Sequence, residues 1–298
     1  MRLRRLLAVV FATLLGLSGL GLSSATTGVA SADPAACPKI YVLAVPGTWS
    51  SNRSPGIMSA VTAGLGADTK VDFVGYDATA FPWESAIYGK SKAQAVANIK
   101  GLALTMLKKC PGTKIALTGY SQGADAAGDV ASEIGSGRAE IKPQQVAGVV
   151  LIADPRRSKR DNLVGPPLTG QGSGGPRAGG MGWLLPNAFT ICEPADLYCN
   201  VPRDYYVTRI VGYLAETSDP TPSQFAQYQA SAALIFAELA SGGIANVPRE
   251  LSNQRAREQI IKFNSFIESG AHGNYNRFEV TPGVTAVQWA HNYLAGLG

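Results

Sequence analysis

The sequence predicts an α/β fold: a central, mainly parallel sheet of five strands with helices packed on its faces. Three observations carry this. Short apolar runs alternate with segments whose apolar residues recur at helical spacing. The pentapeptide Gly119-Tyr120-Ser121-Gln122-Gly123 sits between one such run, Lys114 to Thr118, and a stretch of small residues from Ala124 to Ile134. Finally, residues 33–298 suit one domain with a generous core.

Met1-Arg2-Leu3-Arg4-Arg5 is basic, an apolar run continues to about Leu22, and small residues lead to Ala30-Ser31-Ala32. That is the pattern of a secretory signal peptide, residues 1–32, cleaved after Ala32. The alternative is an uncleaved membrane anchor, because the apolar run approaches spanning length. Loss of Arg2, Arg4 and Arg5 lowers the formal charge from +5 to +2. The mature chain shows no basic run interleaved with aromatics, so nucleic acid is not an expected partner.

The strands are read in order. Lys39 to Val45 (KIYVLAV) is the first, Val71 to Tyr76 the second and the Lys114 run the third. Val146 to Ala153 is apolar almost throughout, as a strand buried on both faces requires. Ala188 to Cys192 is the fifth. A short helix is expected within Pro55 to Gly66, and a longer one over Ser91 to Lys109, where Val96, Ile99, Ala103, Met106 and Leu107 trace one face. Cys110-Pro111-Gly112 stops it. Gly165 to Gly182, rich in Gly and Pro, reads as a flexible surface loop, either at a cleft rim or without a role. Tyr205 to Ser269 reads as a helical insertion and possible lid. One of its helices carries Phe225, Tyr228, Ala232, Ile235 and Leu239, and the other carries Leu251, Ile260, Ile261, Phe263, Phe266 and Ile267. Extra layers packed on the sheet are the alternative.

The four cysteines all follow the leader. An even count in an exported chain argues for two disulfides with three possible pairings, of which Cys192–Cys199 with Cys37–Cys110 is favoured. A zinc site lacks the paired short spacings it needs.

Strand, Gly-x-Ser-x-Gly and helix together describe a nucleophile elbow with Ser121 on a strained turn. The pattern alone is weak, and the constellation around it decides. A serine nucleophile needs a base, and only His272 and His291 exist. His291 shares a face of a terminal helix with Val284, Val287 and Leu294, the setting of a structural histidine. His272 sits in the loop Ser269-Gly270-Ala271-His272-Gly273-Asn274-Tyr275, which can deliver an imidazole over a sheet edge. Asp196, in the Cys192 to Cys199 loop, is the expected orienting acid, with Glu193 second. Asp154 reads as a turn residue pairing with Arg156 or Arg157, and Asp125 and Asp129 as exposed or packing residues. The order Ser121, Asp196, His272 is the α/β-hydrolase order. The expected oxyanion donors are the N–H of Gln122 and that of Thr48, with or without its hydroxyl, in Val45-Pro46-Gly47-Thr48-Trp49.

These motifs resemble the cutinase family of serine esterases: Gly-Tyr-Ser-Gln-Gly at 119–123, the cysteine loop carrying Asp196, and His272 with Tyr275 three residues on. The cysteines before the first and third strands also match. The resemblance implies a cutinase-like α/β-hydrolase sheet, no metal or cofactor, and hydrolysis of acyl esters through an acyl-enzyme. It implies Ser121 as nucleophile, His272 as base, Asp196 as orienting acid, and Thr48 and Gln122 as the oxyanion hole. The Pro-Gly-Thr-Trp-Ser loop and the long Asp196–His272 separation look more like actinobacterial, mycolate-envelope members, associated with lipase, phospholipase A or thioesterase activity. The expected protein is an exported or envelope-bound esterase acting on lipid-like acyl esters, with peripheral contact to membrane or envelope. A catalytically silent lipid- or envelope-binding module is the alternative from another class.

Overall fold

The computed structural model describes residues 37–81, 83–218 and 253–298. Cys37–Gly298 forms one compact unit. The expected leader with its cleavage site, the Phe225–Leu239 stripe and Leu251 lie outside the described residues. Six strands make the main sheet: β1 Ile40–Val45, β2 Thr69–Phe73, β3 Lys114–Tyr120, β4 Val146–Ile152, β5 Asn162–Val164 and β6 Ala188–Ile191. Their order is β2-β1-β3-β4-β6-β5. Every pairing is parallel. Five of these are the expected strands. The sixth, β5, is a correction: three half-buried residues at the sheet edge are too short to show a period.

Both faces of the sheet are covered, so its central strands are apolar throughout. On one face Leu43, Ile115, Leu117, Val149 and Leu151 meet helix α2 (Tyr88–Lys109) through Val96, Ile99 and Met106. They also meet α3 (Gln122–Gly135) through Ala127, Val130 and Ile134. On the other, Val42, Ala44, Ala116 and Val150 pack with Met58 and Val61 of α1 (Met58–Thr62). Val287, Ala290 and Leu294 of α6 (Ala286–Ala295) join them. His291 lies on α6 with Nδ1 3.2 Å from the Val61 carbonyl, a structural histidine as expected. The insertion contributes α4 (Tyr206–Glu216) and α5 (Asn253–Ser269). A two-stranded antiparallel hairpin, β7 (Glu279–Thr281) and β8 (Val284–Thr285), leads into α6.

Both favoured disulfides form, Cys37–Cys110 across 73 residues and Cys192–Cys199 across 7. By loop closure alone they constrain the unfolded chain by about 4–5 and 2–3 kcal/mol respectively.

The Gly165 to Gly182 stretch corrects the expectation of a flexible surface loop. Gln171 to Gly175 and Arg177 are buried. Gln171 and Val201 exchange two backbone hydrogen bonds, and the N–H of Gly174 donates to the Pro155 carbonyl at 2.9 Å. A Cβ on Gly172 would stand 2.1 Å from the Pro155 oxygen. Here the glycines serve close packing rather than mobility, a distinction that composition does not carry.

The same physics is sharpest at the elbow. A Cβ on Gly119 would lie 2.3 Å from the Gly123 oxygen, and one on Gly123 would lie 2.2 Å from the Val45 oxygen. All the near atoms are backbone, so nothing can swing aside. We expect Gly123→Ala to lose about 1–3 kcal/mol of stability in urea unfolding, whereas Gly101→Ala, inside α2 with its Cβ in open space, should gain about 0.5–1 kcal/mol.

Candidate active site

Ser121 follows β3 and sits at the N-cap of α3 with φ +56° and ψ −124°, a region that costs a residue with a Cβ roughly 1–3 kcal/mol. Its N–H is tied to the Ile152 carbonyl of β4 at 2.9 Å. The turn therefore projects the hydroxyl beyond the carboxyl ends of the strands, where parallel sheets place their sites.

His272 arrives from the far side of the chain. Gly270, at φ +66°, turns the backbone after α5, and Ala271–Gly273 forms a single 3-10 turn. The imidazole stacks on Tyr120 with centroids 5.1 Å apart and meets the edge of Tyr198 at 4.6 Å. The Tyr120 hydroxyl donates to the His272 carbonyl. Nε2 lies 2.9 Å from Ser121 Oγ, and Nδ1 lies 2.8 Å from Asp196 Oδ2. A carboxylate oxygen only accepts, so Nδ1 carries the proton and Nε2 accepts from the serine hydroxyl. The carboxylate of Asp196 is fully buried while the imidazole is 24% exposed. Asp196 also takes the N–H of Tyr198 at 2.9 Å and the hydroxyl of Tyr275 at 2.6 Å. Glu193, the second choice for the acid, reaches Asn274 instead. Burial, then the charge of Asp196, raises its pKa.

The oxyanion candidates also converge. The Thr48 hydroxyl donates to Gln122 Oε1 at 3.3 Å. The amide of Gln122 is held by the carbonyls of Thr79 and Tyr88 at 3.0 and 3.3 Å. Gln122 opens α3, so its N–H precedes the first intrahelical bond and points at the elbow. Thr48, Ser121 and His272 border a cavity of about 570 Å³. Its other walls include Trp49 and Phe81 on one side, Val211 and Ala215 of α4, and Ile260 and Phe263 of α5. Trp49, Phe81 and Trp83 stack in series at 6.1 and 4.7 Å. The indole N–H of Trp49 is anchored to Glu84 at 2.8 Å.

Three other acids are drawn into a buried charged network, a partnership that the reading of Asp125 and Asp129 as exposed or packing residues and of Asp154 as a turn residue did not include. Asp125, Asp129 and Asp154 are buried, in a cluster with Lys92, Arg156, Arg177 and Glu216 beneath the cavity. Asp154 does accept the Arg156 N–H, but its charge is met by Arg177 at 2.6 and 3.0 Å. Arg177 also reaches Asp129 at 2.8 Å. Lys92 bonds Glu216 and lies 3.2 Å from Asp129. One signal was present in the sequence: Lys92 falls four residues before Val96, on the apolar stripe of α2. Arg177 carried no signal inside its Gly-rich stretch.

Burial raises Glu216 first, the charge of Asp125 adds to it, and Lys92 and Arg156 only partly offset them, so it is pushed up to about 8. Burial acts on Asp129 in the same sense, but Lys92, Arg177 and Arg156 outweigh it and hold that carboxyl well below the usual range.

Parallel strands that bring a strained serine and a buried carboxylate to one edge, joined through an imidazole, define the α/β-hydrolase class. Comparison with known proteins narrows it: the family model described as Cutinase matches residues 36–230, more than half of the chain, and the chain belongs to that family. The match includes Ser121 and Asp196 and ends before His272. A carboxylesterase Culp6 homolog of Corynebacterium glutamicum is 31% identical over 226 residues, 61% of this chain and 73% of that protein. Cutinase 4 of Emericella nidulans is 35% identical over 118 residues, 39% and 48% of the two chains. In fold the chain is similar to lysin B from mycobacteriophage D29, with a TM-score of 0.53, 17% identity and coverage of 87% and 98%. The protein is a serine carboxylic ester hydrolase.

The charged cluster gives a signed pH dependence. The folded pKa of Glu216 lies above its unfolded value of 4.5, so its contribution is complete below about 4.5 and is lost as pH rises to about 8. The depressed Asp129 acts oppositely, and its contribution is lost only as pH falls below its ordinary 3.8. The melting temperature should therefore decline between pH 5 and 8 and then level off. In Glu216→Gln that decline should shrink, as read by differential scanning fluorimetry in matched buffers.

Proposed function

We propose that this protein is an exported esterase that hydrolyses lipid-like acyl esters through Ser121, His272 and Asp196. The observation that carries the reading is the continuous relay from Ser121 Oγ to His272 Nε2 at 2.9 Å and from Nδ1 to Asp196 Oδ2 at 2.8 Å. Both distances are within hydrogen-bonding reach without rearrangement.

In this reading Ser121 Oγ attacks the acyl carbonyl while Nε2 takes its proton. The tetrahedral oxyanion faces the N–H groups of Gln122 and Thr48, with the Thr48 hydroxyl free to turn from Gln122 toward it. Collapse expels the alcohol, which leaves with the proton from Nε2, and the acyl group remains on Ser121. Water then repeats the sequence and releases the acid. Asp196 keeps Nδ1 protonated and stabilises the imidazolium formed in each half. No cofactor enters. The apolar walls from Trp49, Phe81, Val211, Ile260 and Phe263 suit an acyl chain. The leader pattern and the two disulfides support export. The helical insertion is proposed as a cap: α4 and α5 supply one wall of the cavity and narrow the access that a polymer surface would need.

The test uses protein from Asp33 onward and p-nitrophenyl esters from acetate to palmitate. Ser121→Ala and His272→Ala should each lower kcat/KM by at least about 10³-fold, and Asp196→Asn by a comparable factor. The parent should prefer medium or long chains over acetate, and should cleave emulsified esters far better than a polyester film. Variants as active as the parent would remove the triad assignment. An acetate optimum would remove the acyl-chain cavity. Thioester and phospholipid substrates in the same panel separate esterase from thioesterase and phospholipase A.

A further inference from the structure

Tyr275 takes no part in the relay, yet its hydroxyl lies 2.6 Å from Asp196 Oδ2, the same oxygen that receives His272 Nδ1. The two donors come from one short element, three residues apart, so a single turn of chain delivers both to one carboxylate oxygen. The other oxygen, Oδ1, takes the Tyr198 N–H. Tyr275 is fully buried. Its hydroxyl oxygen accepts the Glu193 N–H at 3.2 Å and lies 3.3 Å from Cys199 Sγ. It thus touches both ends of the disulfide loop that holds Asp196. Three phenols surround this carboxylate, but Tyr120 spends its hydroxyl on the His272 carbonyl, and Tyr198 presents its backbone N–H.

We propose that Tyr275 is a positioning residue of the esterase: its hydroxyl fixes Asp196 and, by sharing Oδ2, sets how much negative charge the carboxylate offers to His272. A hydrogen bond from a neutral donor withdraws charge from the accepting oxygen and lowers its pull on the neighbouring imidazole proton. Removing the donor does two opposing things. The carboxylate loses an orienting contact, which slows the chemical step, and its oxygen gains charge, which makes the imidazole more basic. Burial, then the charge of Asp196, drives the Tyr275 hydroxyl far above its ordinary pKa, so it remains a protonated donor throughout the working range.

This rests on the Ser121–His272–Asp196 reading above. In Tyr275→Phe, kcat for p-nitrophenyl butyrate should fall about 10-fold with KM within about twofold, since the ring does not border the cavity. Fluorophosphonate labelling of Ser121 should slow in step. The acidic limb of the pH–kcat/KM profile should move to higher pH. Tyr275→3,5-difluorotyrosine keeps the shape and hydroxyl but donates more strongly, so its limb should move to lower pH while the melting temperature stays close to the parent's. This second variant also tests the proposal if Tyr275→Phe does not fold. Limbs that stay with the parent's in both variants, or a loss of activity that follows melting temperature alone, would overturn it and leave a packing residue. Parallel measurements on Ser121→Ala and His272→Ala separate the two failures. If these are inactive while the Tyr275 variants match the parent, only the Tyr275 role is lost. If they are active, the triad itself is wrong.

Discussion

The structure depends first on how closely a strand and a helix pass at the elbow. Two glycines, Gly119 and Gly123, let β3 and α3 approach at separations that a methyl group would forbid. The strained Ser121 between them results from that approach. The strain persists because the surroundings determine it: β4 holds the Ser121 N–H, and the start of α3 is wedged against the end of β1. Once the hydroxyl is fixed, Gln122 and Thr48 are placed by the same crossing.

A second layer of control lies beneath the cavity, where charges do the work that apolar packing does elsewhere. Glu216 ends α4, which walls the cavity, and its partner Lys92 belongs to α2. Asp125 and Asp129 lie on the elbow helix, and Arg177 comes from the Gly-rich stretch. With Asp154 and Arg156 from the turn after β4, five separate segments meet through ion pairs and charged hydrogen bonds with almost no solvent. A buried network of this kind contributes little net stability over an apolar core, but any member left unpaired is costly. It consequently favours one arrangement of the segments, and the wall of the cavity is part of that arrangement.

Much of this was legible in the sequence because it follows from short-range rules. Apolar runs located five strands, cysteine parity and spacing favoured the bridges, and the chemistry each position could perform singled out Ser121, Asp196 and His272, which the structure brings into hydrogen-bonding reach. His291 was set aside correctly because of its helical neighbours. What was missed depends on long-range contact. β5 is strand only because it docks on β6, and three residues cannot show a period. Gly165 to Gly182 looked mobile because composition cannot separate a glycine needed for freedom from one needed for proximity. Asp125 and Asp129 read as exposed or packing residues and Asp154 as a turn residue, but their charged network was not visible because their cationic partners lie up to 52 residues away.

The separations within the relay have a consequence in time. Ser121 and His272 are 151 residues apart, and His272 and Asp196 are 76 apart. No local segment brings even two of them together, so these hydrogen bonds form only with long-range contacts. A chain in which those contacts have not formed carries the Ser121 hydroxyl without an imidazole beside it. The serine and its imidazole neighbour therefore meet only in the completed fold, and the spacing of the relay reports on folding of the chain as a whole.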